Sequence, residues 1–122
     1  MKLKISRIIL FVDDIKKTTD FYENIFGLEL SGECSDEFVS FDTGSSQLCL
    51  HQIPREYIDA SNKYEEREDS YTKVVFYSND VESDRSELIE KGVQMKEIVR
   101  FDGIEICDGC DCEGNIFQIS NR

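Results

Sequence analysis

No stretch of this 122-residue chain approaches the roughly 20 apolar residues that a membrane-spanning helix needs, so no transmembrane segment is expected. Basic residues are scarce. Fourteen Lys and Arg stand against 26 Asp and Glu, a net charge of −12. That balance argues against nucleic acid and anionic membrane surfaces as partners, since both need basic patches. The opening Met1-Lys2-Leu3-Lys4-Ile5-Ser6 has no signal-peptide core or small-residue cleavage site. The five cysteines are an odd number, which together with that opening leads us to expect reduced thiols and a cytoplasmic protein. Phosphate-binding glycine loops, a Gly-x-Ser-x-Gly elbow and a dinucleotide-binding fingerprint are all missing. Histidine occurs once, at His51. A Cys–His nucleophile would have to use Cys49 and His51, two apart on one strand, and no third residue is at hand to orient them. With 33% charged and 11% aromatic residues, the composition is that of one folded domain.

The chain reads as two similar halves. Ile5 to Val12 is apolar and β-branched, the pattern of a buried strand. Asp14 follows as a helix N-cap, Ile15, Thr18, Tyr22, Ile25 and Phe26 form one apolar helical stripe, and Gly27 ends it. Leu28 to Leu30, Phe38 to Phe41 and Gln47 to His51 are the next strands, with turns at Gly32 and at Asp42-Thr43-Gly44-Ser45. The order then restarts with a strand over Thr72 to Tyr77, a cap at Asp80, a weaker helix carrying Val81, Leu88 and Ile89, and a stop at Gly92. Strands over Val93 to Glu97, Ile104 to Cys107 and Ile116 to Ile119 complete it. Asp14 and Asp80 are 66 positions apart and Gly27 and Gly92 are 65 apart, which points to an internal duplication. We divide the single domain into module 1 (about 1–53), a polar linker (54–70) and module 2 (71–122).

Phe11-Val12-Asp13-Asp14-Ile15, Phe21-Tyr22 and Gly27-Leu28 resemble the opening module of the vicinal oxygen chelate superfamily, which includes glyoxalases, bleomycin-resistance proteins, fosfomycin-resistance enzymes and extradiol dioxygenases. Asp111-Cys112-Glu113-Gly114-Asn115-Ile116-Phe117-Gln118 resembles that family's turn before its last strand. The resemblance implies an α+β fold of two βαβββ modules that form a curved mixed sheet around a central cavity. It also implies a small-molecule ligand and a homodimer.

Members with enzymatic activity hold a divalent metal on cavity-facing strands. The resemblance puts the first ligand of each module at Arg7 and Lys73 and the last at Gln118. An arginine has no lone pair to give and an ordinary lysine is protonated, so the usual metal site is expected to be absent and no cofactor is assigned. Aligning Gln47 with Asn115 turns His51 away from the Gln118 face, and a slip of one residue reverses this. Arg7 and Lys73, again 66 positions apart, could instead hold an anionic or carbonyl-bearing ligand. Alternatively each cation pairs with a carboxylate such as Glu105 or Glu37, or lies at a sheet edge.

Cys107-Asp108-Gly109-Cys110-Asp111-Cys112 reads as a loop with three thiols, a possible soft-metal or metalloid site. Its acidic neighbours Asp108, Asp111 and Glu113 oppose thiolate formation, and a fourth ligand is missing. Cys34 and Cys49 are expected to pack as small apolar residues. Three readings stay open. One is metal-free binding of a small molecule through Arg7, Lys73, Gln118 and His51. Another is a metal-dependent lyase, isomerase or dioxygenase using His51 and Gln118. The last is a thiol site at Cys107, Cys110 and Cys112.

Overall fold

The computed structural model describes residues 1–58 and 72–122. The chain divides into two compact units, Met1–Asn62 and Lys63–Arg122. That boundary falls within the 54–70 linker, whose residues 59–70 lie outside the described residues. The first unit contains β1 (Arg7–Val12), α1 (Ile15–Asp20), β2 (Glu29–Cys34), β3 (Phe38–Asp42) and β4 (Gln47–Gln52). Its sheet order is β1-β4-β3-β2, with β1 parallel to β4 and the other pairs antiparallel. The second unit contains β5 (Val74–Tyr77), α2 (Val81–Glu90), β6 (Gln94–Met95), β7 (Val99–Phe101), β8 (Ile104–Cys110) and β9 (Ile116–Ser120). Its order is β5-β9-β8-β6, with β7 also paired to β8 and β5 parallel to β9. The first unit runs βαβββ and the second repeats that order with one added short strand, β7, so the duplication expected from the spacing is present in the topology and the fold is α+β.

The caps follow the sequence. Asp14 accepts the Lys17 amide at 3.1 Å and Asp80 accepts the Ser83 amide at 3.0 Å. Gly27 and Gly92 take φ of 72° and 85°, the left-handed stop that side chains disfavour. The first helix departs from expectation. It is α-helical only to Asp20, and Phe21–Ile25 forms a π-helical turn in which the Phe26 amide reaches the Phe21 carbonyl. The wider turn lets three aromatic rings meet: Phe21–Tyr22 at 5.0 Å, and Phe26 at 5.3 Å from each of them.

The strand expected over Val93 to Glu97 is shortened to Gln94–Met95, and a further strand, β7, follows it outside the expected range. Met95 pairs with Gly109 and Val99 with Ile106, so four steps on one strand face three on the other. The extra residue is a bulge, and it separates β6 from β7. β8 runs on to Cys110, so Cys107 and Cys110 stand in a strand and not in a loop. Beyond it, Asp111 takes both the Glu113 and Asn115 amides at 2.8 and 2.9 Å and closes the turn into β9.

In the first unit Val12, Ile15, Tyr22, Val39, Phe41, Leu48 and Leu50 are buried. In the second, Val81, Leu88, Val93, Cys107, Phe117 and Ile119 are. Burying each large apolar side chain contributes about 1.5–3 kcal/mol. Cys49 is buried as expected, but Cys34 is exposed because it ends the edge strand β2 beyond a register shift. Two contacts fix these sheets. Gln52 accepts the Ile15 amide at 2.9 Å and donates to the carbonyls of Asp13 at 2.7 Å and Ile53 at 2.9 Å, tying the end of β4 to the β1–α1 turn. Gly109 leaves room for its neighbours, since a Cβ there would lie 2.6 Å from the buried Phe117 ring and would also strike Met95.

Two stability changes follow. Gln52→Ala should lower the free energy of unfolding by about 1–3 kcal/mol, because it strands a helix amide and two carbonyls. Gly109→Ala should cost a similar amount, about 1–3 kcal/mol, through overpacking. Urea unfolding monitored by circular dichroism measures both.

Candidate functional site

Successive side chains of a strand point to opposite faces, and paired residues share a face. In the first unit Arg7 is level with Gln47 and Asp42, Ile9 with Cys49 and Ser40, and Phe11 with His51 and Phe38. These three rows make up the sheet face opposite α1. Ile8, Leu10, Leu48, Leu50, Val39 and Phe41 make up the other face. Arg7 starts in the first row, yet its guanidinium lies 5.9 Å from the centre of the Phe38 ring in the third. Its side chain therefore crosses the middle row, where the small Cys49 and Ser40 stand. Phe11 stacks on His51 at 5.3 Å with 29° between the rings, and Phe38 meets His51 edge-on at 5.6 Å. Among the described residues Arg7 has no carboxylate partner, while its attraction to the ring fixes where the cation sits.

The equivalent face of the second unit has different chemistry. Lys73, just before β5, pairs with Asp108 on β8 at 2.8 Å. Asp108 also accepts from the Gln118 amide nitrogen at 2.9 Å. The structure therefore joins Lys73 to Gln118 through a carboxylate and joins Arg7 to His51 through Phe38. Of the two carboxylates suggested by sequence, Glu105 binds Arg100 at 2.6 Å, and Lys73 uses Asp108 instead.

Register corrects the sequence alignment of the two modules. Arg7 is level with Gln47, and Lys73 precedes the Val74–Phe117 pair, so Gln47 corresponds to Ile116 and not to Asn115. His51 thus falls on the Arg7 face, and Cys49 holds the place that corresponds to Gln118. The cause is the turn. Asn115 is held by Asp111 through its backbone and side chain and stays in the turn, so Ile116, the first residue of β9, takes the place that corresponds to Gln47. Phe11, Phe38 and Asp108 were not singled out from the sequence as site residues. Phe11 was within reach of alternation, since it lies four residues from Arg7 on one strand.

The thiol site is corrected as well. Cys107 and Cys110 are three apart on β8 and point to opposite faces, and Cys112 lies in the turn beyond the strand, so the three do not form one group suited to a metal ion. Cys107 is buried and donates to the Lys96 carbonyl at 3.2 Å. Burial pushes its pKa above the usual 9.0, with Asp108 and Glu97 adding to the rise and Arg85 opposing it, so it is a protonated thiol at neutral pH. Cys49 donates to the Ser40 hydroxyl at 3.5 Å, which accounts for its thiol without His51.

The profile of the Glyoxalase/Bleomycin resistance protein/Dioxygenase superfamily matches residues 4–103. The chain belongs to this superfamily. Solved structures agree with that fold. The fosfomycin resistance protein FosX from Listeria monocytogenes is 23% identical, with a TM-score of 0.75 over 98% of this chain and 93% of that one. Lactoylglutathione lyase from Agrobacterium tumefaciens is 21% identical, with a TM-score of 0.73 over 96% and 92%. TnmS3, an antibiotic-binding protein from Streptomyces sp. CB03234, is 17% identical, with a TM-score of 0.74 over 97% and 94%. A comparison with curated proteins gave no match. Among the described residues no helix is long and apolar enough to cross a membrane.

The residues at the ligand places of the glyoxalase superfamily do not fit a divalent cation. Arg7 offers no lone pair, Lys73 carries a positive charge bonded to Asp108, and Gln118 turns its amide nitrogen to the same carboxylate. Among the described residues no three His, Cys, Asp or Glu side chains gather into a group suited to a metal ion.

Asp108 is the titrating centre of the second face. Partial burial raises its pKa, but hydrogen bonds from Lys73 and Gln118, with the charges of Lys73 and Lys96, outweigh that and hold it below its usual 3.8. A carboxyl that binds its proton less tightly when folded stabilises the fold above its unfolded pKa and loses that contribution as the pH falls through the folded value. The stability difference between wild type and Asp108→Asn should therefore be constant near neutral pH and shrink below about pH 3.8, as urea midpoints across a pH series will measure.

Proposed function

We propose that this protein binds a small anionic organic molecule on the sheet face that carries Arg7, and does so without a divalent metal. The observation behind this reading is the contrast between the two cations at corresponding places. Lys73 is neutralised by Asp108 at 2.8 Å, whereas Arg7 has no carboxylate partner among the described residues and lies over the Phe38 ring. Its donors can form the planar fork that a carboxylate or phosphate accepts. With a net charge of −12 the protein repels anions at long range, so binding one requires a local cation of this kind. The family likeness supports the same reading, because antibiotic-binding and fosfomycin-resistance proteins share the fold.

This reading includes a homodimer in the cytoplasm. Exposed apolar residues on the outer strands, Leu30 of β2 and Val99 and Phe101 of β7, support the dimer. The odd number of cysteines supports a reducing compartment.

A thermal-shift screen of small organic acids, followed by calorimetric titration of the best binder, tests the proposal. Arg7→Met should weaken binding about tenfold or more, the worth of a charged hydrogen bond, and Lys73→Met should change it less. Unchanged affinity of Arg7→Met for every acid would defeat the reading. Elemental analysis should find no stoichiometric iron, manganese, nickel or zinc. A stoichiometric metal that is lost in His51→Ala would replace this reading with a metal-dependent lyase, isomerase or dioxygenase.

A further inference from the structure

The aromatic row beside Arg7 narrows the ligand class, an inference that rests on the anion-binding reading above. Phe11, His51 and Phe38 stand level on the three adjacent strands β1, β4 and β3. Neighbouring strands are about 4.8 Å apart, so the three rings form a row about 10 Å long, room enough for a fused two-ring system to lie beside more than one of them. Phe11 is 59% exposed, an unusual state for a phenylalanine on a sheet face. His51 is exposed too, and it makes ring contacts only. At one end of this row the Arg7 guanidinium is held against Phe38. A compact anion such as inorganic phosphate would use Arg7 and leave the rings bare. A neutral arene would use the rings and leave the guanidinium unanswered.

We propose that the occupant is a planar aromatic acid, with its ring system against Phe11 and His51 and its carboxylate on the Arg7 fork. The rings contribute stacking, which adds to the burial of apolar surface. Arg7 fixes orientation, because its position over Phe38 leaves the ligand's anionic group one place to go. His51 presents ring N–H and nitrogen atoms that no neighbour uses among the described residues, and these can bond a hydroxyl or second polar group on the arene.

The probe is 2-naphthoate, compared with its uncharged amide, 2-naphthamide, and its saturated analogue, decahydro-2-naphthoate. The sequence has one histidine, so the His51 ring C–H resonances can be read directly by proton NMR of the intact protein without any variant. Bound 2-naphthoate should shift those resonances upfield through its ring current. Phe11→Leu should weaken its binding about three- to tenfold, and Arg7→Met about tenfold or more. Both substituted residues are exposed, and a thermal melt of each variant checks that it folds.

Each alternative result has a distinct meaning. If decahydro-2-naphthoate binds as tightly as 2-naphthoate, the aromatic inference falls and the anion reading stands. If 2-naphthamide binds as tightly and Arg7→Met changes nothing, both fall. If 2-naphthoate binds without moving the His51 resonances, or does not bind at all, this face is not an aromatic-acid site, and the organic-acid screen alone then judges the anion reading.

Discussion

Parallel pairing of β1 with β4 decides which side chains of the first module share a face. With Arg7 level with Gln47 and Phe11 level with His51, a cation and three rings are presented together opposite α1. A slip of one residue would turn them toward the helix and expose Leu48 and Leu50, both buried. The apolar core on the α1 side resists that slip. Gln52 adds a second restraint, because it bonds the first helix turn and the backbone on either side of it. The site thus depends on a packing preference expressed on the opposite side of the same sheet.

The two modules keep one topology and have diverged in the chemistry of corresponding positions. Arg7 and Lys73 both precede or open the first strand of their module, yet one lies on an aromatic ring and the other on a carboxylate. Asp108 is the residue that makes the difference. It sits on β8 opposite Gln118 and takes hydrogen bonds from both Gln118 and Lys73, which removes the lysine from any role as an open anion receptor. The first module has Ser40 and Cys49 where a bulkier or charged pair would block the path of the arginine. Small side chains in the middle row are what let Arg7 reach Phe38.

The same logic separates the cysteines from function. Three thiols within six residues look like a chelating loop when counted along the chain. The three do not gather into one site, because alternation sends Cys107 into the core and Cys110 to the opposite face, while Cys112 lies in the turn beyond β8. Gly109 between them is set by packing, since the Phe117 ring fills the space its side chain would need. The stretch is thus explained by the needs of a central strand, with burial holding Cys107 as a neutral thiol.

Local patterns made much of this protein legible. Caps at Asp14 and Asp80, the glycine stops and the repeated strand–helix–strand order all depend on near neighbours, and each is found where the spacing put it. The unusual occupants of the ligand places, Arg7, Lys73 and Gln118, were equally legible, because they follow from matching motifs. What the chain alone could not supply was anything that depends on strand register or on partners distant in sequence. The facing of His51 turned on one residue of register, decided by the pairing of Arg7 with Gln47 and of Phe11 with His51. The π-helical turn, the bulge between β6 and β7 and the capture of Lys73 by Asp108 arise from contacts across a core or between strands. Sequence determined the modules and the identities of the residues at the site. Tertiary structure decided which of them meet, because a face is shared only after the strands have paired.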